Sequence, residues 1–515
     1  MTNVICQVYL SEVVFMKYGW AEEKFVFPKP ISLEGQFAER ISQYEEKPLT
    51  VTALAVDSGE DQAVFCSVDL VCVSYILTDE VRARLAKCVP DLDPMKTIIS
   101  AIHTHTGPGY TGKSARKSSL GFSSANFQKN IEALLPPGKK YIQSANLAEN
   151  PNIMNNDELF EEIASKITKA IADAWKSRKD GSFSNAFGRA VVGLCRRAAY
   201  NDGSAQMWGD TNTAMFTELE GGNDSGIELM YVFDENKKLT GIVANLACPA
   251  QCVQHRHFIS PDFWGEAKML LRKHFGEDLF LLSLCSAAGD QCPVDLVRWV
   301  EPESDVNDPN LKRNNPPKRK ADPSMFDLAG MKKVGKRLAN EIIEVYNEGL
   351  DEPQMDVPLI HQIHNMRLPL RRVTMAETIA ARKEISDYFA NKPGDVNYND
   401  AGNLHGPIGI INRASLQELR DVVETEVHII RLGSIAFASN PFELFLDYGN
   451  QIKARSLAEQ SFIIQLACAS EGYLPTEKAE KGGHYSGFVA SGTVGHIGGE
   501  QLVRETVQDI NEMFK

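Results

Sequence analysis

The apolar positions of this chain alternate between period two and period 3.6, which lays out a series of strands and helices. Residues 49–56 (LTVTALAV) and 63–73 (AVFCSVDLVCV) are rich in apolar and β-branched residues. They flank Asp57-Ser58-Gly59-Glu60-Asp61, so the stretch reads as a β-hairpin. Residues 97–102 (TIISAI) predict a further strand that runs directly into His103. Helical spacing follows over 157–178, where Phe160, Ile163, Ile167, Ile171 and Trp175 share one face. Strands are expected at 227–233, 240–247, 279–285, 426–438 and 462–468. A helix over 326–347 aligns Met331, Val334, Leu338, Ile342 and Val345.

Thr374-Met375-Ala376-Glu377 has the form of a capping box and opens a helix to about Ala390. The last helix is expected near 500–514. Residues 301–325, rich in Pro, Asp, Asn, Lys and Arg, read as a polar surface insertion, and 391–413 read as loop. Mixed strands and helices without a repeat period predict an α/β protein with mixed β-sheets covered by helices. We expect one large catalytic domain spanning residues 1–515.

Composition and charge narrow the function. Of 515 residues, 43% are hydrophobic and 24% charged, ordinary values for a globular chain. The net charge of −14 argues against non-specific binding to nucleic acid or anionic membranes. No uninterrupted apolar run reaches the roughly 18 residues of a membrane span. The first residues show no basic cluster followed by an apolar run, and the ten cysteines lack paired spacing. A reduced, cytoplasmic protein acting on a small molecule is expected.

Four segments carry candidate chemistry. In Ala101-Ile102-His103-Thr104-His105-Thr106-Gly107-Pro108-Gly109, strand alternation would put both imidazoles on one side, ahead of a glycine-rich turn. The run from Asn245 to His257 offers Cys248, Cys252, His255 and His257. These are thiolate or imidazole ligands, or else a packed strand end and a solvated loop; the residues alone leave both open. Ser286-Ala287-Ala288-Gly289-Asp290-Gln291-Cys292-Pro293 allows close backbone approach after a strand. Glu443, in Ser439-Asn440-Pro441-Phe442-Glu443, is a carboxylate between aromatic residues that should face a metal or a basic partner. Arg196, Arg197 and Trp208 are candidates to line a substrate pocket, with a solvated arginine pair as the alternative.

In order along the chain, these segments resemble the catalytic domain of the neutral, non-lysosomal ceramidases. That family carries Thr-His-Thr-His-Ser-Gly-Pro-Gly, matched here from His103 to Gly109 with Thr106 in place of serine. Its Ala-Gly-Asp/Asn-x-x-Pro turn is similar to Ala288–Pro293, its Pro-Gly-Glu to Pro441-Phe442-Glu443, and its Tyr-x-x-Thr to Tyr473-Leu474-Pro475-Thr476. The resemblance spans about residues 45 to 485. Characterised members add an immunoglobulin-like C-terminal domain, which we expect to be missing from these 515 residues.

The resemblance implies a zinc-dependent hydrolase of an amide or other acyl bond. Zinc ligands would fall on His103, Glu443 and Tyr473, with His105 beside the substrate carbonyl. The family's remaining histidine, in a His-Pro pair, is replaced by Cys248-Pro249, which makes Cys248 the candidate fourth ligand, with His255 or His257 as substitutes. Cys292 matches a position discussed as a nucleophile, and Arg197 and Asp262 are candidate substrate-binding residues. The absence of membrane signals leads us to expect a substrate more soluble than ceramide. The same fold turned to carbohydrate derivatives, or to binding without catalysis, is the alternative.

Overall fold

A computed structural model describes residues 16–110, 131–142, 150–298 and 325–515 of the chain. The expected insertion at 301–325 lies outside them apart from Met325. Eight strands form the larger sheet: β1 (Lys17–Lys24), β2 (Thr50–Asp57), β3 (Gln62–Val68), β4 (Thr97–Ala101), β5 (Lys179–Arg189), β6 (Gly226–Asp234), β7 (Leu239–Leu246) and β8 (Phe280–Cys285). Their spatial order is β8-β7-β6-β5-β1-β2-β3-β4, mostly antiparallel, with parallel pairs β3/β4 and β7/β8. The smaller sheet runs β9 (Leu359–Pro369), β10 (Val422–Leu432), β11 (Ile435–Ser439) and β12 (Gln460–Ile464), with β11/β12 parallel. The fold is thus α/β with mixed sheets.

The sheets stack face to face and helices cover their outer faces. On β2, Leu54 and Val56 pack with Phe65, Val243 and Leu284 against Ile430, Phe437, Phe462 and Ile464 of the smaller sheet. Val51, Ala53 and Ala55 of the same strand point the other way. They meet α1 (Tyr75–Cys88) and α2 (Asn156–Lys176) through Leu77, Val81, Ile163 and Ile167. Both faces of β2 are therefore buried, which is why Ala53 to Val56 form an unbroken apolar run. Each such side chain contributes about 1.5–3 kcal/mol when fully buried. α3 (Phe263–Phe275) and α4 (Asp327–Glu348) cover the β6/β7 end. After α5 (Met375–Asn391) and α6 (Ala401–Leu416), α7 (Leu446–Arg455) and, beyond the short α8 (Glu477–Gly482), α9 (His496–Met513) cover the smaller sheet.

α2, α4 and the Thr374 capping box stand as the sequence predicts, and so does the hairpin, except that its second strand stops at Val68 and does not continue to residue 73. Four expectations need correction. Residues 426–438 are a hairpin of β10 and β11, turned at Gly433 (φ +57°), because the loop glycine ends the strand. The strand expected to Cys468 stops at Ile464. Much of 391–413 is α6, with Pro407 inside it. Gly409 fits directly against Ala490, and Arg413 donates to the carbonyls of Arg371, Val489, Gly492 and Thr493. Tertiary packing holds a helix that its local sequence disfavours. Finally, α9 begins at His496, since Gly499 lies close against the Tyr448 ring and serves packing rather than termination.

Candidate functional site

The parallel pairs β3/β4, β7/β8 and β11/β12 end at one edge, and the segments leaving them meet there. Cys468 N–H donates to Ile99 O at 2.7 Å and Gln465 N–H to Cys285 O at 3.1 Å, so the two sheets are joined at their strand ends. The Gln465 side-chain oxygen accepts from Ala288 N–H (3.0 Å) and Leu444 N–H (3.1 Å). Asp290 Oδ1 accepts from Leu446 N–H at 2.9 Å. Burial pushes the Asp290 carboxyl up to about 6.

The histidine motif does not use strand alternation. β4 ends at Ala101, and His103 adopts φ +64°. A side chain in that region costs of order 1–3 kcal/mol unless its surroundings hold it. Here they do: Thr104 and Thr106 hydroxyls donate to Ser260 O (2.9 and 2.7 Å), and Gly109 N–H donates to Ser32 O at 2.9 Å. Gly35 (φ +99°) lies so close to the His105 ring that an added Cβ would sit 2.5 Å from Cγ. This turn brings His103 Nε2 to 3.3 Å from His105 Nε2 and 3.4 Å from Glu443 Oε2.

Glu443 and Tyr473 stand beside each other because their strands pair in parallel, with Glu443 opposite Tyr473. The Tyr473 hydroxyl hydrogen bonds to Glu443 and accepts from Arg196 Nη2 at 3.3 Å. Arg196 also donates to Gly289 O at 3.0 Å and to Gln251 Oε1 at 2.9 Å. Gln251 Nε2 lies 3.0 Å from His105 Nε2. Burial pushes Tyr473 upward and both histidines downward, His105 furthest because His103, Arg40 and Arg196 also oppose its charge. Both shifts favour the uncharged imidazoles.

The remaining expected site residues have protein partners of their own, and Cys248 and Cys292 lie near enough to Arg196 for its charge to act on their thiols. Cys248 Sγ contacts the carbonyls of Val192 (3.7 Å) and Pro249 (3.5 Å), and burial raises its thiol well above the ordinary range. Cys292 Sγ donates to Val294 O at 3.3 Å, and burial pushes it up to about 12. Its thiol is buried and hydrogen-bonded to the backbone. Arg197 and Asp262, the expected substrate-binding residues, are both buried with their polar atoms engaged by the protein. Arg197 pairs with Glu220 at 2.6 Å and donates to Ser486 Oγ at 2.7 Å. Asp262 caps α3 and accepts from Val253 and Phe263 N–H at 2.9 and 2.6 Å. His255 stacks on Phe326 and lies 3.4 Å from Asp327, while His257 is exposed.

Gln251 is the residue that the motifs missed. Two positions past Pro249, it has no ligand chemistry of its own to mark it, and its partner Arg196 is 55 residues away.

The donor set at His103 suits a divalent ion. Val71 O can only accept, so the 2.7 Å contact puts the His103 proton on Nδ1 and leaves a lone pair at Nε2. Donors at about 2.0–2.1 Å from one tetrahedral ion lie roughly 3.3 Å apart. His103 Nε2 and Glu443 Oε2, at 3.4 Å, have that spacing. Tyr473 adds a phenol oxygen.

Among the described residues, Glu426, His428 and Cys468 also bring ligand atoms within 4.8 Å of one another. This trio already holds a cation of the protein's own: Arg82 donates to both Glu426 oxygens at 2.9 and 2.7 Å.

Comparison with known proteins gives a fold. The structure of neutral ceramidase from Pseudomonas aeruginosa superposes with a TM-score of 0.62, covering 98% of this chain and 75% of that one at 16% identity. A ceramidase structure described as complexed with C2 gives 0.62 as well, with 97% and 75% coverage and 15% identity. No protein-family model and no curated protein matches the sequence. The chain has a distant, ceramidase-like fold.

Proposed function

We propose that this chain is a metal-dependent hydrolase of an amide or related acyl bond in a small, soluble substrate. The observation that supports it most is the convergence of His103, Glu443 and Tyr473, with His105 adjoining, where the parallel strands end. His103, Glu443 and Tyr473 would hold the ion, zinc by the character of the donors, which when bound polarises a carbonyl and makes water a better nucleophile.

The chain's own residues supply the rest. Val71 O keeps the His103 lone pair directed inward. His105, adjoining His103, would hydrogen-bond the developing oxyanion or shuttle the proton. The Arg196 guanidinium, fixed by Gly289 O and Gln251, offers positive charge beside Tyr473 where an oxyanion would develop. Cys248 and Cys292 have no part in this account. The net charge of −14, with no described helix long and apolar enough to cross a membrane, favours a substrate taken from water over one drawn from an anionic bilayer.

The test is a panel of short N-acyl compounds assayed before and after chelation, with wild type and His103→Ala. Turnover that chelation removes and zinc restores, absent from His103→Ala, is expected. Turnover indifferent to both treatments would contradict the proposal.

A further inference from the structure

The turn that carries the two histidines is clamped by a short extended segment. Glu34 N–H donates to Gly107 O at 3.1 Å, and Leu33 bridges Pro108 in antiparallel fashion. Arg40 fixes the clamp by donating to Glu34 O at 2.8 Å and to His105 O at 2.6 Å. The next residue, Gly35, lies against the His105 ring. The Glu34 backbone is thereby locked beside the candidate site.

The Glu34 side chain lies over bare backbone. A Cβ at Gly109 would sit 2.4 Å from Glu34 Oε2, so the carboxylate fills the space that a side chain at 109 would take. It also faces Cys72, whose thiol is pushed up to about 12 by burial and further by the Glu34 and Glu443 carboxylates. A thiol that senses both carboxylates puts Glu34 on the side of the turn where Glu443 stands.

Little in the protein balances this charge. Among the described residues no lysine or arginine forms an ion pair with the Glu34 carboxylate, and Arg40 acts on it through space while donating to backbone carbonyls. The nearby Tyr110 hydroxyl gives its proton to Cys72 O at 3.2 Å. Arg196 is directed at Tyr473, Gln251 and Gly289 instead. Burial pushes the Glu34 carboxyl upward, as expected of a half-buried charge short of a partner.

We infer that Glu34 is a specificity-determining residue whose carboxylate selects substrates carrying a protonated amine. The substrate class rests on the proposed hydrolysis: an N-acyl compound with a second, cationic nitrogen. The net charge of −14 favours the approach of such a cation.

The test compares N-acetyl diamines of increasing chain length with N-alkylacetamides of matching length, on wild type, Glu34→Gln and Glu34→Leu. Wild type should favour the best amine over its neutral counterpart by about 10²-fold in kcat/KM, the scale of a hydrogen bond to a charged group, and mostly through KM. Glu34→Gln should bring that ratio close to unity. Glu34→Leu should reverse it, and serves if the glutamine variant does not fold. A purely structural role would slow both series alike and leave the ratio standing.

Titration calorimetry of the same compounds on the protein as purified reads the preference without turnover. Wild type should bind the amine about tenfold or more tightly than its neutral counterpart, and neither variant should. A preference absent from wild type, or surviving both substitutions, overturns the inference while hydrolysis itself stands. A wild type that hydrolyses nothing defeats the proposed reaction, and the calorimetric preference then decides the role of Glu34.

Discussion

Two clusters in this molecule hold nearly the same chemical groups and differ in what balances them. At the strand ends, His103 and Glu443 face each other at 3.4 Å with Tyr473 beside them. On β10, Glu426 and His428 stand 2.8 Å apart with Cys468 nearby. The second cluster has the tighter donor spacing, yet Arg82 donates to both oxygens of its carboxylate and to Thr97 O. In the first, the nearest guanidinium is directed instead at Tyr473, Gln251 and Gly289. Donor spacing alone thus does not mark a metal site. A carboxylate already neutralised by a buried arginine is a structural element, whereas lone pairs facing one another without a proton between them invite a cation.

Substitutions can break this comparison. The largest effect should come from His103→Ala, which should reduce N-acyl hydrolysis roughly 10⁴-fold, the scale of losing an essential group. His428→Ala should leave kcat within a few-fold, so a comparable loss in both would erase the distinction. Gly35→Ala forces a Cβ against the His105 ring at a left-handed φ, and a misplaced ring should lower kcat by about 10²-fold. Retained activity there would mean that His105 placement is not critical.

On the other side, Arg82→Met leaves Glu426 with only His428 beside it and should cost about 3 kcal/mol in denaturant unfolding while sparing turnover. Burial alone would raise the Glu426 carboxyl, but hydrogen bonds from His428 and Arg82 hold it well below the usual range. A carboxyl lowered in the folded state stabilises above its unfolded value of about 4.3 and loses that contribution as pH falls. Acid unfolding should therefore begin at higher pH in Arg82→Met. An unchanged acid midpoint would show that Arg82 does not balance this cluster.

The smallest effect concerns Asp290. Burial raises its carboxyl to about 6 in the folded state against about 3.9 unfolded. Its contribution is complete below about pH 4 and lost as pH rises through 6. Asp290→Asn should flatten the stability profile between those values, and an undiminished slope would assign the titration elsewhere.

Much of the fold was legible where local pattern and burial agree. The hairpin over β2 and β3, α2 and α4 declare themselves by periodicity, and the Thr374 capping box holds as written. α6 was hidden because Gly402, Gly406, Pro407 and Gly409 argue locally against a helix that packing stabilises. In the site, His103, Glu443 and Tyr473 were identifiable from motifs, but the turn that joins His103 to His105 and the pairing of Glu443 with Tyr473 depend on strands far apart in sequence. Cys248 drew notice through its thiol, whereas Gln251 meets Arg196 and His105 only in the fold. The protein partners of Arg197 and Asp262 could not be read from the sequence, because Glu220, Ser486 and Val253 meet them only in the fold.

The central claim is that an ion belongs with His103, Glu443 and Tyr473 and not with Glu426, His428 and Cys468. Metal content by mass spectrometry, measured side by side on wild type, His103→Ala and Cys468→Ser after identical zinc loading and dialysis, tests it most directly. The account predicts close to one zinc per chain in wild type and Cys468→Ser, and none in His103→Ala. Zinc kept by His103→Ala and lost from Cys468→Ser would contradict it.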